Sequence, residues 1–179
     1  MSNKYSMTAD LRLKARFLAK LVTMILIWPS GAYFSVPESA NSDDIISDWS
    51  GVAPLPRLTA HCATALGMLN AVYMEHNSII PIAAIYLSRY RKAKGKPVEG
   101  GKVIELWHTA VVLAYKWLKD GWVGRMTMLW NTIPVVGEWS LLSAEHSFLD
   151  VIDYDLMVKV DTFAGVCEVL KLLKGSGGF

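Results

Sequence analysis

Charge is scarce in this chain, and so are the residue patterns that mark a catalytic or metal centre. Charged residues fill 19% of the 179 positions, and the formal net charge is only +2. A nucleic-acid binder would show a strongly basic domain or stripe, so bulk charge gives no support for DNA or RNA, and no nucleic acid is expected as partner. Cysteine is limited to Cys62 and Cys167, each alone in an apolar setting without paired spacing. Such cysteines read as small hydrophobes in a reducing compartment, nucleus or cytoplasm. The histidines His61, His76, His108 and His146 are scattered singly, and no His-Glu-x-x-His occurs, so no metal is expected.

Glycine-rich phosphate loops and nucleophile elbows are missing too. Residues 95–102 come nearest to a phosphate loop, but the glycine spacing is wrong and Val103 stands where Ser or Thr is needed. There is no Gly-x-Ser-x-Gly. No motif therefore marks a catalytic site and no cofactor is expected, while a triad assembled in space stays open. The apolar stretch at 21–28, bordered by Lys20, is far short of the ~18 to 20 residues that cross a bilayer, so no transmembrane span is expected.

What the chain does have is apolar residues, 53% of the total with seven Trp, and they recur at helical spacing. Leu11, Ala15, Leu18, Val22, Ile25 and Trp28 mark an amphipathic helix over 8–28 that stops at Pro29. Residues 29–56 read as an irregular connection, with Ile45, Ile46 and Trp49 pinning it to the core. Helices are then expected over 59–75 and 79–92, the latter with Ser78 as N-cap and Pro81 in its first turn. Further helices are expected over 103–120, 125–133, 140–152 and 157–174, the last stopped by Gly175. No strand alternation and no internal repeat appear. The class is all-α.

The helix over 103–120 is apolar on nearly every face from Thr109 to Leu118, which marks a post buried among other helices. Lys116 is the exception. A lysine there must meet an opposite charge or carry its ammonium out to water.

Residues 58–156 resemble the cyclin box, the five-helix module by which cyclins bind and activate cyclin-dependent kinases. Four stretches carry the resemblance in order: Ile80-Pro-Ile-Ala-Ala-Ile-Tyr-Leu-Ser-Arg-Tyr, Thr109-Ala-Val-Val-Leu-Ala-Tyr-Lys-Trp-Leu-Lys-Asp, Trp130-Asn-Thr-Ile, and Ser143-Ala-Glu-His-Ser-Phe-Leu-Asp-Val-Ile-Asp-Tyr-Asp-Leu. They are similar to the second to fifth box helices. Ser88 stands where the family carries Asp, and the first box helix lacks the docking motif of cell-cycle cyclins. The resemblance implies a five-helix cyclin box with additional N-terminal and C-terminal helices, divided as 1–56, 57–157 and 158–179. The architecture is similar to that of the single-box fungal phosphate-response cyclins.

In the family, a Lys on the third box helix and a Glu on the fifth form the polar centre of the kinase-facing surface. By resemblance these are Lys116 and Glu145, with Trp117, Leu149, Tyr154 and Leu156 as apolar kinase contacts. The bland alternative pairs Lys116 and Glu145 inside the bundle. The run Arg89, Arg91, Lys92, Lys94 and Lys96 reads first as a solvated loop, and otherwise as a patch for an acidic or phosphorylated substrate or inhibitor protein. Two other readings stay open. A cyclin fold also serves general transcription factors that touch DNA, and the basic residues Arg12, Lys14, Arg16 and Lys20 suit a membrane-surface adaptor or a mitochondrial presequence.

Overall fold

The computed structural model describes residues 9–27, 54–72, 76–118 and 141–175, and the described residues form six helices with no strand. These are α1 (Ala9–Leu26), α2 (Pro56–Val72), α3 (His76–Lys94), α4 (Gly100–Leu118), α5 (Leu141–Val151) and α6 (Val160–Gly175). The expected helix over 125–133 and the anchors Ile45, Ile46 and Trp49 lie outside the described residues.

The core grows from two neighbouring helices. Every residue of α4 from Leu106 to Tyr115 is buried, as an all-round apolar surface demands. Within that run Thr109 hides its hydroxyl by donating it to the Glu105 carbonyl at 3.0 Å. The antiparallel neighbour α3 packs against each of the other five helices, so α4 shares the centre rather than holding it alone. α1 lies along α2, α3 and α4 and buries Ala15, Leu18, Ala19 and everything from Leu21 to Leu26. Its charged residues Arg12 and Arg16 remain on the outer side. Its apolar stripe is thus spent on the core.

Several boundaries differ from the sequence expectation, with starts at Pro56 and Gly100 rather than 59 and 103 and an end at Lys94 rather than 92, and two further differences bear on the site. α3 begins at His76, ahead of Ser78, so Pro81 lies in the second turn and withdraws one N–H from the helical ladder there. The last helix begins at Val160 rather than 157 because the segment before it is held in another conformation. Asp153 and Tyr154 both have φ of 52°, a left-handed pair that ends α5. Beyond them Arg89 Nη1 donates to the Asp155 carbonyl at 2.5 Å, Arg89 Nη2 to the Met157 carbonyl at 2.6 Å, and the Tyr86 hydroxyl to the Leu156 carbonyl at 3.0 Å. A helix started at 157 would need that Met157 carbonyl for itself.

Candidate functional site

The helical period of α4 runs out of cover at its last turn. Tyr115 is wholly buried, Lys116 is 28% exposed in its side chain, and Trp117 and Leu118 face outward. Across from this turn lies α5, whose face of Leu142, Glu145 and Leu149 follows steps of three and four residues. Lys116 Nζ donates to Glu145 Oε1 at 2.7 Å and Oε2 at 2.5 Å, so one ammonium engages both carboxylate oxygens. The Glu145 carboxylate is 7% exposed. A carboxylate so deep is tolerated because its cation is in place, while the lysine stem carries that cation to the edge of the bundle.

Exposed apolar side chains lie near the pair in sequence, on the same two helices and beyond the end of α5. Trp117 and Leu118 extend from α4, Leu142 from the start of α5, Tyr154 and Met157 from the segment between α5 and α6, and Val160 from the first residue of α6. Tyr154 is 56% exposed, and its hydroxyl donates to Asp150 Oδ1 at 3.0 Å, which raises the phenol's pKa above the usual range. Leu149 and Leu156 are placed differently from the other apolar candidates, because each is half-buried and packed on the core. Leu118, Leu142, Met157 and Val160 were not singled out from sequence. Leu142 had a signal in sharing the face of Glu145. The others are exposed because α4 ends and because the 155–157 segment is clamped, and neither fact has a local sequence signature.

The basic run does not form one surface. Arg89 is committed to the clamp, with Asp155 Oδ1 also 3.3 Å from Nη1. Arg91 is buried, whereas Lys92, Lys94 and Lys96 are exposed. Lys94 Nζ lies 5.8 Å over the Tyr90 ring, whose far contact is a stack on Phe148 of α5.

Two of the scattered histidines also meet. His61 of α2 and His108 of α4 place Nδ1 and Nε2 3.0 Å apart with their rings edge to face. Burial, helped by its neighbour His61, pushes the His108 imidazole down to about 3, and burial with the Arg57 charge lowers His61. Both are therefore neutral at pH 7, one donating to the other. No group of three metal-ligating side chains occurs among the described residues, and no described helix is long and apolar enough to cross a membrane. Cys62 and Cys167 are free thiols, Cys62 with its pKa well raised by burial.

No known protein family, curated protein or solved structure matches the chain.

Proposed function

We propose that this chain is a cyclin-like regulatory subunit that binds and activates a cyclin-dependent protein kinase and has no catalytic chemistry of its own. The observation that carries the reading is the Lys116–Glu145 pair at the rim of the bundle, with exposed Trp117, Leu118 and Leu142 on the same two helices and exposed Tyr154 just past the end of α5. Large rings and aliphatic groups around a small, fixed ion pair have the composition of an interface core, with rings supplying area and charges setting register. The helices behind it are rigidly packed. In the proposed mechanism that rigid face holds the kinase's mobile regulatory helix in its active position and so completes the kinase's own Lys-Glu pair.

The reading is supported further by the clamp of Tyr86 and Arg89, which fixes the segment that bears Tyr154 and Leu156. The membrane-surface reading loses its motive, because the apolar side of α1 is occupied by the core.

Affinity capture of the tagged full-length chain from cells, with identification of bound kinases, tests the proposal. Trp117→Ala and Tyr154→Ala remove exposed rings and leave the core intact, and Glu145→Lys opposes two cations at the centre. Kinase capture should fall by tenfold or more in each while helicity by circular dichroism is retained for the two ring variants. Capture unchanged in the ring variants sinks the reading.

A further inference from the structure

Residues 153–159, between α5 and α6, form a strap without helix. Its side chains alternate in burial: Leu156 and Val158 are half-buried and packed on the core, whereas Asp155, Met157 and Lys159 are exposed. That is the pattern of an extended chain laid on a bundle. The strap starts from Asp153 and Tyr154, both at φ 52°, a region that L side chains seldom occupy, so this path has to be held by contacts from elsewhere in the fold.

Those contacts come from one face of α3. Tyr86 and Arg89 stand three positions apart there, and together they supply donors to three consecutive strap carbonyls, those of Asp155, Leu156 and Met157. Among the described residues no other side chain hydrogen-bonds to the strap backbone. The rigid guanidinium fork takes the two outer carbonyls, and the Tyr86 hydroxyl takes the middle one. A lysine at 89 would keep the charge but lose the fork.

Tyr154 belongs to the partner-facing surface proposed above, and Met157 is 70% exposed on the same strap. Where these side chains stand follows from the path of the strap. That path is fixed from α3, a helix that bears none of the residues proposed to meet the kinase. The Arg89 side chain is 23% exposed, and both of its terminal nitrogens are already bonded.

We propose that Arg89 is a positioning residue for partner binding, which acts by holding the strap and not by touching the partner. For the identity of the partner this rests on the kinase reading above, and for the mechanism on the hydrogen bonds alone.

The test joins hydrogen exchange to kinase capture, both on the full-length chain. The amides of Tyr154, Asp155 and Leu156 are hydrogen-bonded, so their exchange reports the strap directly. Arg89→Lys keeps the charge and Tyr86→Phe keeps the buried ring. Each should speed exchange of those three amides about tenfold or more, while the amides of α4 keep their wild-type rates. Kinase capture by Arg89→Lys should fall about tenfold. Adding Tyr154→Ala should lower it little further, because both changes act through the strap, whereas adding Trp117→Ala on α4 should multiply the loss. Unchanged strap exchange in Arg89→Lys overturns the inference, and so does wild-type capture by a variant whose strap has opened. Full multiplication of the Arg89→Lys and Tyr154→Ala losses overturns it as well. If the wild type captures no kinase, the kinase reading fails, and the exchange arm alone decides whether Arg89 holds the strap.

Discussion

The two ends of α4 treat a buried charge in opposite ways. At its C-terminal end Glu145 is met by Lys116 on both oxygens, and the lysine reaches the surface. At its N-terminal end Arg91 is enclosed with two nitrogens unbonded. Sixteen residues of helix, about 24 Å, separate Gly100 from Lys116, so neither charge relieves the other appreciably. The difference teaches that, among the described residues, one buried charge is met within the fold whereas the other is not.

The sharpest way to break the comparison is to remove one cation at each end and measure urea unfolding. Lys116→Met leaves Glu145 buried and alone, and should cost about 3 kcal/mol. The double variant Lys116→Met with Glu145→Leu should recover most of that loss, because an apolar pair replaces the ions. A cost for Lys116→Met below about 0.5 kcal/mol would show that the pair contributes as little as an exposed ion pair.

The middle of α4 provides a second lever, through pH. His108 has its folded-state pKa depressed to about 3 from an ordinary 6.5, so the unfolded chain binds the proton more readily than the folded one. Its neutral form contributes full stability above about pH 6.5, and the contribution falls as pH drops through the window from 6.5 to 3. The slope should approach about 1.4 kcal/mol per pH unit near pH 5. His108→Gln should flatten the stability profile between pH 6 and 5. An unchanged slope would contradict the burial assigned to this imidazole.

At the other end, Arg91→Met should be neutral or stabilising by about 1 kcal/mol, since it replaces a buried ion that is unpaired among the described residues with an apolar chain. A large loss of stability would mean that Arg91 already has its counter-charge within the fold. The smallest effect belongs to Trp117→Ala, whose ring is 49% exposed, and it should change stability by less than about 0.5 kcal/mol.

Much of this arrangement was legible in the residues and some was not. The buried run of α4 and the outward Lys116 follow from apolar periodicity, and the lysine's need for a carboxylate follows from desolvation. That Glu145 supplies the carboxylate is implied only by the family resemblance, because helical periodicity says nothing about which of many acids lies opposite. Arg91 sits in a run that reads as a solvated loop. Yet the spacing Ile80, Ala84, Leu87, Arg91 placed it on a buried face, a signal that the density of lysines around it obscured. The meeting of His61 and His108, 47 residues apart, is a product of tertiary packing and has no local trace. The late start of α6 was hidden for a similar reason, as Arg89 and the carbonyls it captures are 66 and 68 residues apart.

The burial of α1 has a consequence for how the protein is made. Leu21 to Leu26 leave the ribosome before the surfaces that cover them, which belong to α2, α3 and α4, the last of which ends at Leu118. At ordinary synthesis rates that interval lasts on the order of 5–20 s. Through that interval the apolar face of α1 is covered only in part, first by α2 and then by α3, so the growing chain carries exposed apolar surface until α4 is complete.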